Sequence, residues 1–355
     1  MADRPPDAPP PPPPAPPGDG GGQWPPNPWS GGDFAQPPQP PGYGWVATTG
    51  PPATGRFRPL SVGELLDATF SLYRRNFVLI AAISAVVQIP YAVIQFLLFQ
   101  IVDLAHEQRV LSNLTTNARQ LSTDQLHDLE NALAHIVIAD SILLVLSLLV
   151  VLPLAEASTT RAVSDRYLDR PATVGSSYGA AVRRLVPLVV QSVILVALFV
   201  ATLAAVAGAL FLLGTFLGGG GIAIGVILAG AALVFLVVVY VRTSMAAPAI
   251  VLEGLSGWRG LERSWRLVKG SSWRIFGIRV LVALIAGIIE AVLGGLLGLA
   301  GNGFDANGRL LLQEVVSAFT AVFIGPITYI AVTLLYYDTR IRKEGFDIEM
   351  LAQSL

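Results

Sequence analysis

Residues 185–241 read LVPLVVQSVILVALFVATLAAVAGALFLLGTFLGGGGIAIGVILAGAALVFLVVVYV, a stretch without one Asp, Glu, Lys or Arg. Its two halves, Leu185 to Leu213 and Gly221 to Val241, are each long enough to cross a ~30 Å hydrocarbon core as a helix. The run Gly218 to Gly221 between them supplies a tight turn. A lone strand cannot satisfy its backbone groups in lipid, and a barrel would show short alternating segments. Each half is therefore expected to be a transmembrane helix.

Working outward, four further apolar runs follow the same pattern: Phe77 to Ile101, Ile136 to Leu154, Ile275 to Leu299 and Val315 to Tyr336. The sequence thus predicts an all-α membrane protein with six transmembrane helices, at about 77–101, 136–154, 185–213, 221–241, 275–299 and 315–336. Lys and Arg occur 19 times in the two tails and the even-numbered junctions, against 3 times in the remaining junctions. That asymmetry predicts cytoplasmic N and C termini. Hydrophobic residues make up 53% of the chain and charged ones only 13%, as expected of a chain solvated largely by lipid. The net charge of −1 gives no ground for a nucleic-acid partner, and the absence of cysteine excludes disulfides, thiol catalysis and thiolate metal sites. Lysine appears only at Lys269 and Lys343, and the heavy use of arginine points to a GC-rich bacterial genome and hence to a bacterial cell membrane. No secretory signal is expected, since the first apolar run begins at residue 77.

Residues 1–58 form a separate block holding 19 of the 26 prolines, with glycine patches and the aromatics Trp24, Trp29, Phe34, Tyr43 and Trp45. Such a composition buries too little surface to fold and reads as a disordered cytoplasmic tether. Pro9 to Pro14 is its candidate polyproline ligand for a protein partner. Residues 59–355 are then the transmembrane domain.

Amphipathic segments precede the odd-numbered spans. In SVGELLDATFSLYRRN, Ser61 to Asn76, the Ser61 and Glu64 pair forms a capping-box pattern, with Val62, Leu65, Leu66, Phe70 and Tyr73 at helical spacing before Arg74 and Arg75. Before the fifth span, Ser256 is placed to cap a helix with Trp258, Leu261, Trp265 and Val268 on one face. Arg259, Glu262, Arg263 and Arg266 take the other face, and Trp273 and Arg274 mark the interface. Before the third span, TVGSSYGAAVRRLVPLV repeats the design more faintly and carries Arg183 and Arg184. Three units result, each an interfacial helix followed by a transmembrane hairpin. Their arginines, with Trp265 and Trp273, make a candidate headgroup-binding collar, against the plainer reading of ordinary positive-inside anchoring.

Within the spans the charged residues are Asp140, Arg279 and Glu290. Asp140 and Arg279 lie one turn inside a span end, where both can snorkel to water. Glu290 lies ~22 Å past Ile275, near the midplane. It shares a narrow face with Ala283, Gly287, Gly294 and Gly298, a face expected to pack against protein. Gln88, Tyr91 and Gln95 form a polar stripe on the first span. Spans one and five are accordingly expected to be neighbours, with Glu290 hydrogen-bonded to that stripe, either fixing helix register or relaying a proton or cation.

The loop after the first span carries His106, His127 and His135, with a capping-box pair at Ser122 and Gln125. His127 and His135 are ~12 Å apart along a helix axis, so no metal site is expected there. Nucleophile elbow, Walker loop, paired-His zincin motif and Rossmann fingerprint are all missing from the sequence, and no cofactor is called for.

The segments RPLSVGELLDATFSLYRRNF, LERSWRLVKGSSWRIFGI and ITYIAVTLLYYDTRIRKEGFDIEML, in that order, resemble bacterial integral-membrane proteins grouped with the membrane domain of glycerophosphoryl diester phosphodiesterases. The resemblance covers about residues 57–355 and implies a six-helix membrane module that in some relatives precedes a soluble phosphodiesterase barrel. No such barrel, and no His and Glu set able to hold a divalent ion over a phosphodiester, is found in the 355 residues. The activity is therefore not expected to carry over.

Two functions follow as expectations. The first is a non-enzymatic membrane scaffold or accessory subunit that engages anionic lipid and protein partners. The second is a transporter or lipid-handling carrier that uses polar groups between spans one and five. A lipid-sized or aqueous cavity reaching Glu290 favours the second, and a closed interior the first.

Overall fold

The computed structural model describes residues 58–103, 123–301 and 303–345, all within the compact unit Thr54–Leu355. The proline-rich block, including Pro9 to Pro14, lies outside the described residues, as do His106 and the Ser122 cap. Among the described residues the architecture is all-helical. The helices are α1 (Val62–Arg75), α2 (Phe77–Ile101), α3 (Thr123–Leu146), α4 (Leu152–Tyr167), α5 (Val174–Arg183), α6 (Leu185–Arg242), α7 (Ala246–Glu253), α8 (Gly257–Val268), α9 (Ser272–Gly301), α10 (Ala306–Phe323) and α11 (Gly325–Glu344). A π-helical turn, Ser147–Val151, joins α3 to α4. Five helical stretches are long and apolar enough to cross a membrane: Phe77–Ile101, His127–Tyr167, Leu185–Glu253, Ser272–Leu299 and Asn307–Glu344.

The decisive stretch is one of these five, and it is broken where the glycines stand. Gly218 adopts φ +59 and ψ −138, a conformation open in practice to glycine alone. The chain folds back there, because a Cβ placed on Gly225 would lie 2.4 Å from Leu210 Cδ2. In a straight helix those residues would stand ~22 Å apart. Leu185–Arg242 is therefore two antiparallel limbs in intimate contact.

The short amphipathic helices form as their caps dictate. Ser61 and Glu64 close a reciprocal capping box, and so do Thr173 and Ser176 at the start of α5. Hydrogen bonds from Arg58 and from the Ser61 amide hold the exposed Glu64 carboxyl down to about 2. The box therefore persists below the ordinary carboxylate range and is lost only as the pH falls towards that value. Ser256 occupies the cap position of α8 with extended backbone but makes no side-chain cap hydrogen bond, contrary to expectation.

Cohesion is concentrated at the level of these short helices. One apolar cluster joins Leu65 of α1, Met245 next to α7, Leu267 of α8, Ile275 and Ile278 of α9, and Leu335 and Tyr336 of α11. A second joins Ala157, Ala181, Leu188 and Ile250. The limbs beyond this base are sparsely packed. Only 6% of the most apolar window of α9 and 11% of that of α6 are buried within the chain, against 39% for α10 and α11 together. Apolar surface gains nothing by leaving lipid for protein, so long apolar helices have no hydrophobic reason to close on one another.

One interruption is repaired by two side chains, as a lipid environment demands. Pro326 lacks an amide and separates α10 from α11. Near that break the Phe323 carbonyl accepts from Tyr73 Oη at 2.6 Å and the Ala321 carbonyl from Ser84 Oγ at 3.0 Å. Pro90, by contrast, sits within an unbroken α2, and Pro187 lies in the first turn of α6.

The base is locked by Asp338, whose side chain has 0% exposure. It accepts from the Leu60 amide at 2.7 Å, from Arg342 Nε at 3.0 Å and from Arg274. Arg274 and Arg342 then both donate to the Leu60 carbonyl, at 2.7 and 2.6 Å. Breaking a buried ion pair from one side costs about 3–5 kcal/mol. Asp338→Asn is expected to lose that much in an equilibrium unfolding titration in detergent, whereas Asp67→Asn, on the exposed face of α1, is expected to change nothing measurable. Equal stability of the two variants would contradict the role given to Asp338.

Candidate functional site

The arginines of the expected collar fall into two groups. Arg263 on α8 reaches Glu253 with Nε at 2.9 Å and Nη2 at 2.9 Å, and Glu344 with Nη2 at 2.8 Å. Burial works against its charge, but the hydrogen bonds with Glu344 and Glu253 outweigh that and push the guanidinium above its ordinary range. Tyr336 Oη also contacts Glu253, and Arg340 reaches Glu344 at 3.0 Å, which completes a network tying α7, α8 and α11. Arg274 belongs to the Asp338 lock, and Arg184 donates to the Gly254 carbonyl at 3.0 Å. These three hold the fold together.

The second group faces outward. Arg74 and Arg75 close α1, Arg183 closes α5, and Arg259 and Arg266 lie on α8, all exposed. Arg266 has only a loose partner in Glu262, at 3.9 Å. Two tryptophans accompany them. Trp265 is 43% exposed, with the Arg242 guanidinium 5.1 Å from its ring, and Trp273 is 85% exposed at the first turn of α9. Cations and amphipathic rings on the short helices and at helix ends, beside apolar limbs, match an interfacial belt.

The expected intramembrane cluster is redrawn by the structure. Gln95 Nε2 donates to Glu314 Oε1 at 3.1 Å, so the carboxylate that meets the polar stripe is on α10, where Glu290 of α9 was expected. Tyr91 Oη is directed at the Leu143 carbonyl at 3.4 Å, beside the π-helical turn, and Gln88 is buried. The second oxygen of Glu314 is buried without a hydrogen-bond partner. The principal neighbour of α2 is α10.

Glu290 itself is exposed. A Cβ added to Gly287, Gly294 or Gly298 would meet nothing within 4 Å, so the small-residue face is open and does not pack against this chain as expected. It lines a lateral groove of about 540 Å³ between α9 and α10, together with Arg309, Gln313, Ser317 and Thr320. Towards the base the groove gives way to the closed core formed by Ile278, Val282, Ala331 and Leu335.

Arg279 donates to Tyr240 Oη at 2.6 Å and lies 4.3 Å from the centre of that ring. Asp140 is exposed on α3. His127 lies 3.9 Å from Glu130, and among the described residues no group of three His, Asp or Glu side chains is gathered closely enough to hold a metal.

Asp338, Glu253 and Glu314 escaped the sequence reading. The i,i+4 spacing of Asp338 and Arg342 was a usable signal for the first. Glu314 stands one residue before the sixth apolar run, Val315 to Tyr336, and so lies outside the predicted spans. Removing the acceptor of a half-buried donor costs up to about 1–3 kcal/mol, so Glu314→Ala is expected to lower thermal stability in detergent. Glu290→Ala is expected to be neutral or stabilising, since it removes a charge from an apolar surface. Tryptophan fluorescence during heating reads both, and the reverse order would refute this placement of the two acids.

Comparison with known proteins gives a family of unknown function. No curated protein and no solved structure matches the chain. The family described as Domain of unknown function (DUF7847) matches residues 60–338, and those limits coincide with Leu60 and Asp338, the two residues joined in the buried lock. With more than half of its length inside that match, the chain belongs to the DUF7847 family.

Proposed function

We propose that this protein is a non-enzymatic, multi-pass scaffold or accessory subunit of a bacterial cell membrane, which gathers anionic lipid around a basic cytoplasmic rim. In this reading the two limbs of α6 cross separately, giving six spans, and the excess of Lys and Arg sets both chain ends in the cytoplasm. The resemblance to the membrane domains of glycerophosphoryl diester phosphodiesterases is part of the same proposal, as a relation of membrane architecture and not of catalysis. The proline-rich block 1–58 would then serve as the tether for a protein partner.

The observation that carries the reading is the division among the rim arginines. Arg184, Arg263 and Arg274 tie helices together, while Arg74, Arg75, Arg183, Arg259 and Arg266 remain exposed beside apolar limbs. Anionic headgroups are the natural partners of such cations, at about 1 kcal/mol for each basic residue near the surface.

The transport reading keeps one specific support. The groove reaching Glu290 and the half-satisfied Glu314 place polar groups at depth in the apolar limbs. It ranks second because the groove stops at the closed core of the base.

In nanodiscs of mixed phosphatidylglycerol and phosphatidylcholine, spin-labelled lipids are expected to report enrichment of the anionic species around the unmodified protein. Changing Arg74, Arg75, Arg183, Arg259 and Arg266 together to Gln is expected to abolish that enrichment. A boundary layer of bulk composition around the unmodified protein would refute the proposal.

A further inference from the structure

We infer that the cleft between the second limb of α6 and the start of α9 is a site for one anionic phospholipid, with its acyl chain in the apolar part and its phosphate at a basic mouth formed around Arg242. The inference rests on the anionic-lipid reading above and narrows it from a diffuse rim to a defined site.

Two adjoining cavities make up the cleft. The deeper, of about 510 Å³, is walled by Leu233, Val234, Val237, Val238, Val241 and Phe276, and is almost wholly apolar. The outer, of about 490 Å³, is lined by Gly270, Ser271 and Arg274. Arg242, Ser272 and Trp273 line both, so the two spaces meet at those residues. An amphiphile with a chain at one end and an anion at the other fits this order of surfaces. A free phosphate would leave the deeper part empty, and a neutral lipid would leave the mouth unmatched.

The chemistry of the mouth favours negative charge on three counts. First, Nε of Arg242 is buried without a hydrogen-bond partner, while its guanidinium stacks 5.1 Å from the Trp265 ring. A buried N–H donor without an acceptor is costly, and a phosphate oxygen would remove that cost. Second, a further cation lies next to the mouth: the Lys343 ammonium donates to the backbone carbonyl of Lys269, which adjoins Gly270, and the charge of Arg242 acts on Lys343. Third, Ser272 to Arg274 form the first turn of a long helix, whose leading amides have no acceptors within the helix. Arg274 is the exception among the local cations, because Asp338 already engages it. Trp273, 85% exposed, stands at the lip, where an indole ring sits level with lipid glycerol.

The sparse packing of α6 and α9 fits the same conclusion. The limbs touch near the base and leave this cleft between them, so a lipid there becomes a packing partner for both helices.

Native mass spectrometry of the full chain in detergent, titrated with dioleoyl phosphatidylglycerol or dioleoyl phosphatidylcholine, tests the site. One tightly retained phosphatidylglycerol per chain is expected, held about tenfold more strongly than phosphatidylcholine, as one charge-assisted hydrogen bond implies. Arg242→Gln should erase that preference. Val238→Trp, which fills the apolar part and leaves the mouth intact, should weaken both lipids. Arg170→Gln, at the α4–α5 junction, should change neither. Equal retention of the two lipids by the unmodified chain, or a preference surviving in Arg242→Gln, overturns the inference. The wider rim reading fails separately: the variant lacking five exposed rim arginines should lose boundary-layer enrichment but keep the single tight lipid if the cleft is the site. Loss of that lipid together with the enrichment would assign it to the rim and refute the cleft.

Discussion

A carboxylate removed from solvent, Asp338, holds the two ends of the DUF7847 domain together, and the rest of the architecture depends on it. It joins Leu60, just before α1, to α11, and the guanidinium groups of Arg274 and Arg342 complete the enclosure by binding the Leu60 carbonyl. Such a tie matters more here than in a water-soluble protein. Apolar helices in lipid are not driven together by the hydrophobic effect, so packing and polar contacts must supply the cohesion. The second network, Glu253 with Arg263, Glu344 and Arg340, repeats the arrangement between α7, α8 and α11. Charge therefore does structural work at the base, and the apolar limbs are left free to meet lipid.

The parts of this design legible in the sequence were those with a local physical cause. Long uncharged runs gave the apolar helices, the Gly218 turn divided the longest of them, and Ser61 with Glu64 marked a helix start. What stayed hidden depends on which helices are neighbours. Glu290 lies on a stripe of small residues that suggested close protein packing, yet that stripe is open, while Glu314 meets Gln95 from a helix 219 residues away in sequence. Sequence alone could not say which acid meets the stripe, since both sit on long helices and only the pairing of α2 with α10 decides. The collar was legible as a set of arginines but not as two groups, because engagement of Arg263 and Arg274 requires acids from α7 and α11. The small buried helix α7, Ala246–Glu253, falls in the junction after the fourth apolar run, where the sequence pattern marks no helix.

A rigid base with lightly packed limbs also bears on motion. Elements with few buried contacts open at low cost, so α6 and α9 are the segments whose separation responds most readily to what lies between them. Under the proposed function that is lipid. Composition of the membrane would then be read through the spacing of two helices, while the locked base stays fixed and presents its cytoplasmic surface to a partner.

The central claim is that the short helices and their arginines lie on the cytoplasmic side, with the α6 and α9–α10 turns on the other. The chain has no cysteine of its own, so single cysteines introduced at Ser256, Gly219 and Asp305 can each be tested with a membrane-impermeant maleimide in intact cells. The account requires labelling at 219 and 305 and protection at 256 until the membrane is permeabilised. Labelling of residue 256 in intact cells, with 219 and 305 protected, would invert the topology and remove the basis for a cytoplasmic lipid-binding rim.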